Sequence, residues 1–344
     1  MAKVINWNFF INPVVQVVMI AVVSVLLYIM SAIYLQEARI LDPNPSLQID
    51  HKLENKIKIK TGLFINNFLK ADLIKNQFAL MGVVWFEFHK RDIELSKLEE
   101  AVFSKAEVKP QANLHDNLCG SATPVVQEKD GVILAQYPVK IDFIANLDHK
   151  LYPFDSHRLS LVLNNMHLDS DRFAFELDQD SLAISPNVVT HGWKMISQKV
   201  SAGYVRKQIT GLQVASYPRV VYAIDFVRNS FKDILLLLLP LLVLFFMSMF
   251  SFSYDHKIDR ENILEIGVAS VAAMVAYRFV IDTVAPNTPY FMLVDWLFAL
   301  FLVLSFLVFL INVFDLFKKY RGLVVLSLHL ALVISWYGLL FIWG

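Results

Sequence analysis

Apolar and polar positions divide this chain into two unlike kinds of sequence. Five long apolar runs, Val14 to Leu35, Ile234 to Phe252, Ile263 to Ile281, Tyr290 to Phe317 and Leu323 to Trp343, approach the roughly 20 residues that a helix needs to cross a bilayer. Between the first and second lie about 200 residues rich in charge, with no run long enough to cross. There the pattern changes to alternation, the mark of half-buried strands, in Lys56 to Phe64, Trp85 to Phe88 and Val139 to Ile144. It returns in Leu159, Leu161, Leu163 and in Phe173, Phe175, Leu177, and Asp130-Gly131 supplies a hairpin turn. Many short strands and no long amphipathic helix predict an immunoglobulin-like antiparallel β-sandwich held outside a membrane. The chain therefore reads as an N-terminal transmembrane anchor (1–36), a linker (37–54), an extracytoplasmic sandwich (55–229) and a four-helix transmembrane domain (230–344, spans 234–252, 261–284, 290–317 and 322–343).

Short-loop basic residues set the orientation. Lys257 and Arg260 fall between spans two and three, and Lys318, Lys319 and Arg321 between spans four and five, so both loops are expected in the cytoplasm. The sandwich and C-terminus then lie outside, and Lys3 fits a cytoplasmic N-terminus. A cleaved signal peptide is the alternative for the first span; its long apolar region and poor cleavage pattern favour a retained anchor.

Composition sharpens this reading. Hydrophobic residues make up 56% of 344, more than one soluble core can bury, and the 31 basic and 31 acidic residues cancel, giving no pull toward nucleic acid. The single cysteine, Cys119, forms no intrachain disulfide and anchors no thiolate metal site. No metal-ligand spacing, Gly-rich phosphate loop or nucleophile motif is present, so nothing argues for an enzyme, a metal or a cofactor.

The segment Tyr152-Pro153-Phe154-Asp155-Ser156-His157-Arg158-Leu159 resembles the signature loop of the pentameric ligand-gated (Cys-loop receptor) ion channels, in the bacterial branch that lacks the flanking cysteines. Arg228 before the first of the last four spans, Pro240 within it, and the loop Ala285-Pro286-Asn287-Thr288-Pro289-Tyr290 add to the resemblance, which covers residues 55 to 344. It implies a homopentamer, this chain together with four identical subunits, in a bacterial inner membrane, with monovalent or divalent cations passing through. It implies domain coupling by Asp155 with Arg228, helped by Pro153, Phe154, Pro286 and Pro289. The N-terminal anchor is a departure from the family.

Span three is too polar to face lipid, carrying Glu265, Gly267, several alanines and Arg278. One helical stripe collects Glu261, Glu265, Val268, Ala272, Ala276, Phe279 and Thr283 at steps of three or four. Five copies would stack carboxylate rings under an apolar stretch, attracting cations and repelling anions. The resemblance assigns the inner acidic ring to Glu261. Glu265 and the small Ala272 depart from the family pattern, leaving Phe279, with Val268 behind it, as the candidate gate. Arg278 is expected to pair with Asp282; Asp295 is left undecided between a subunit contact and the outer interface.

The resemblance places an agonist pocket between sandwiches, with Trp85, Phe88, Trp193 and Tyr204 as candidates and Phe86 and Tyr217 beside them. The family's Trp-x-Pro-Asp/Glu segment is not found between Leu95 and Leu118. Nine histidines, with His149 and His157 flanking the signature loop, raise protons as a stimulus alongside a small molecule. The alternative function is a non-conducting pentameric sensor or scaffold of the same fold.

Overall fold

A computed structural model describes residues 7–36, 47–48, 56–72, 75–104, 114, 118, 123–145, 147–188, 193–210, 213–228, 231–255 and 258–343. Lys3, Cys119, Lys257, much of the linker and most of the stretch between Leu95 and Leu118 lie outside those residues. The helices are α1 (Pro13–Gln36), α2 (Leu95–Glu99), α3 (Phe231–Phe250), α4 (Arg260–Val284), α5 (Leu293–Val313) and α6 (Arg321–Trp343). The strands are β1 (Ile57–Asp72), β2 (Gln77–His89), β3 (Val102–Ser104), β4 (Val125–Lys129), β5 (Val132–Ile144), β6 (Ser156–Asn164), β7 (Phe173–Glu176), β8 (Leu182–Ile184), β9 (Trp193–Thr210) and β10 (Gln213–Arg228). Contacts divide the chain into two compact units: Met1–Arg39, His149–Asp155 and Ser230–Gly344 form one, and Ile40–Asp148 with Ser156–Asn229 the other.

The second unit is a β-sheet domain. One sheet runs β4-β5-β2-β1-β7, with β8 also paired to β1, and the other runs β3-β6-β10-β9. Alternating side chains of both meet in one hydrophobic core that includes Ile59, Leu63, Phe86, Tyr137, Leu161, Leu163, Tyr222 and Ile224. The β4–β5 turn falls at Asp130 and Gly131, whose φ angles of 53° and 77° are those a tight hairpin needs. The expectation of a purely antiparallel arrangement requires correction, because β7 and β8 pair with β1 in parallel. The run from Phe173 to Ile184 advances along β1 without a hairpin to reverse it, so both segments point the same way.

Among its described residues, the first unit holds five helices long and apolar enough to cross a membrane. The expected span from Tyr290 to Phe317 overshoots α5 at both ends. At its start Asp295 accepts the Met292 backbone N–H at 2.7 Å and fixes the helix origin. Past its end, Asp315 and Phe317 take positive φ angles of 49° and 59°, which no helix continues through. The N-terminal helix is one-sided: Val23 and Leu27 enter the helical core, while Val14, Val17, Val18 and Val22 are exposed.

Candidate functional site

The polar span became α4, whose two faces have opposite characters. Ile263, Gly267, Ser270, Met274 and Ile281 are buried. Gly267 is required by its setting, since a Cβ there would stand 2.9 Å from the Phe309 ring of α5. Every residue of the expected stripe, Glu261, Glu265, Val268, Ala272, Ala276, Phe279 and Thr283, is exposed on the single chain. Phe279 is 73% exposed and Val268 55%, values that mark a face left uncovered among the described residues. Neither glutamate forms an ion pair with a described residue.

The buried side is held by polar ties. In α3, Pro240 has no N–H to offer the Leu236 carbonyl. The Tyr277 hydroxyl of α4 donates there instead, at 3.2 Å from Leu236 O and 3.1 Å from Leu237 O. Arg278 pairs with Asp282 at 2.8 Å and also with Asp295 of α5, and its guanidinium lies 5.6 Å from the centre of the Phe298 ring. The sequence could offer Asp282 as a partner because helical spacing puts it one turn away; Asp295, 17 residues on, needed the tertiary structure.

The signature-loop residues His149 to Asp155 belong to the helical unit. Tyr152 and Phe154 are buried in its core, and the Tyr152 hydroxyl donates to the Val284 carbonyl at 3.1 Å. The free N–H groups opening α5 are taken by this loop, Leu293 bonding Lys150 O at 2.8 Å and Val294 bonding Tyr152 O at 3.0 Å. The His149 N–H donates to the Tyr290 hydroxyl at 3.0 Å, and buried His149 and Asp155 face each other at 3.1 Å. Pro153 and Pro286 are buried and Pro289 is exposed. The loop thus grips both ends of the link between α4 and α5.

In the β unit, Arg228 stacks over Trp193 at 4.5 Å, with the His157 ring 5.3 Å from that indole. A motif search alone missed a stronger pair nearby: Arg158 of β6 grips Asp225 of β10 through two bonds, 2.7 and 2.9 Å, and Ser197 adds a third at 2.7 Å. Burial raises the pKa of this carboxyl, but hydrogen bonds from Arg158 and Ser197 and the charges of Arg158 and Lys199 outweigh it and bring the net value below normal. Phe86 and Phe88 lie inside the hydrophobic core, and Trp85 packs over Gly62. Trp193 and Tyr204 stand on one strand eleven residues apart, roughly 35 Å at strand rise. Tyr204 is buried, with Lys56 4.3 Å above its ring.

No protein-family model matches the chain. It is similar to a proton-gated ion channel of Gloeobacter violaceus, 20% identical over 251 residues, an alignment spanning 69% of this chain and 67% of that protein. The chain thus joins a β-sheet domain to several apolar helices of membrane-spanning length, as a membrane protein does, and bears a distant likeness to an ion channel.

Proposed function

We propose that the chain is one subunit of a homopentameric, cation-selective channel of the ligand-gated type, with an immunoglobulin-like outer domain and α4 from each subunit lining the pore. The observation that carries this reading is the two-faced α4: its packed side meets α3 and α5, while carboxylates, small residues and Phe279 share an exposed face that packs on no other element among the described residues. A charged face exposed to lipid is unfavourable, and five such faces around water remove that cost. Glu261 and Glu265 form acidic rings that favour cations, and Phe279 narrows the opposite end. The sandwich lies on the periplasmic side and the N-terminus in the cytoplasm.

Signal passes from the sandwich to the pore through the loop of His149 to Asp155, which bonds the α4–α5 link directly. Asp155 and Arg228 are the proposed coupling residues of the two units, with Pro153, Phe154, Pro286 and Pro289 shaping the helical unit's part of the path. The likeness to a proton-gated channel makes acid the first stimulus to apply, with small amines next.

The test is a planar bilayer containing purified protein under a potassium chloride gradient, with pH steps and then amine addition. A current reversing near the potassium potential is expected, and E261Q moves the reversal toward zero. An anion-directed reversal overturns the assignment of Glu261, and silence to every stimulus favours a non-conducting sensor or scaffold, the reading that small Ala272 at mid-stripe would suit.

A further inference from the structure

Two neighbouring residues on the packed side of α4 reach different helices. Tyr277 gives its hydroxyl proton to the α3 carbonyl that Pro240 leaves without a helical donor. Arg278 binds Asp295, whose second oxygen simultaneously caps α5 through the Met292 N–H at 2.7 Å. Asp295 is buried, and a cavity of about 570 Å³ lined by Arg278, Asp282, Asp295 and the α4–α5 link adjoins the pair. In lipid an unbonded carbonyl or unpaired charge is costly, so neither tie is released without a replacement.

We infer that Tyr277 and Arg278 form a clamp fixing the rotation of the outer half of α4, with Asp295 as its pivot on α5; this rests on the channel reading above. Phe279 follows directly in sequence, about 100° further around the helix. Turning Phe279 one way pulls Tyr277 from α3, and turning it the other way pulls Arg278 from α5. The clamp therefore sets which side chains occupy the proposed lumen. Tyr277 and Arg278 are positioning residues and touch no ion themselves.

The test replaces the one cysteine, C119S, and introduces single cysteines at Ala276, Phe279 and, as an inner control, Val268. Full-length protein in phosphatidylethanolamine–phosphatidylglycerol vesicles is treated with a charged methanethiosulfonate, and modification rates are compared in Y277F, D295N, R278Q and R278K backgrounds. The clamp predicts that Y277F, D295N and R278Q each change the rate at position 276 or 279 by about tenfold, that position 268 stays within about twofold, and that R278K falls between R278Q and the parent. Unchanged rates in variants that keep the parent's assembly size overturn the clamp. Where D295N does not assemble, D295E, which keeps the charge and alters the reach, serves the same comparison. Unreactive cysteines at 276 and 279 in the parent overturn the channel reading, and the clamp's role with it.

Discussion

At the residue scale, charge placement separates the two units. Asp225 sits at the meeting of β6, β9 and β10 with three hydrogen bonds and a depressed pKa. Its contribution to stability is complete above the unfolded carboxyl value of about 3.9 and fades as pH falls through the lower folded value. Truncating one partner of so enclosed a pair costs roughly 3 kcal/mol. R158A is therefore expected to speed amide exchange in β6 and β10 at pH 7, with the difference from the parent shrinking below about pH 4; an R158A effect independent of pH would count against the pair. Glu265 supplies the second residue-scale prediction. Removing one of two stacked rings in E265Q should weaken block or binding by divalent ions while leaving cation preference to Glu261, as current–voltage curves with and without calcium would reveal.

At the scale of elements, local pattern and tertiary need agree for most of the molecule. Period-two alternation identified β1, β2, β5, β6 and β7, and the Asp130-Gly131 pair located the turn, because each signal comes from residues adjacent in sequence. The parallel pairing of β7 and β8 with β1 escaped because β1 lies more than a hundred residues earlier. The stripe on α4 was legible because a helix projects sequence onto a face; the ties of Tyr277 to Leu236 and Arg278 to Asp295 were not, since they depend on how neighbouring helices register. Gly267 belongs to the same class. Its close approach to Phe309 means that G267V forces this ring aside, an overpacking cost of about 1–3 kcal/mol. The expected result is a lower midpoint in thermal unfolding of the detergent-solubilised protein, with G267A lowered as well, by a smaller amount, since its single methyl meets the same ring at 2.9 Å while alanine recovers some helix propensity.

At the scale of the whole molecule, the claim is that α4 hides its carboxylates from lipid by sharing water with four copies of itself. The β unit, the signature loop and the N-terminal helix all make sense without that claim; the exposed stripe of α4 does not. A nitroxide placed at Ala272 in the C119S background, in reconstituted full-length protein, reports the surroundings of that stripe through its collisions with oxygen and with a water-soluble nickel chelate. The account predicts strong relaxation by the chelate, weak relaxation by oxygen, and spectral broadening from neighbouring labels around a common axis. Strong relaxation by oxygen with no chelate effect and no broadening would put Ala272 against acyl chains and contradict the pore.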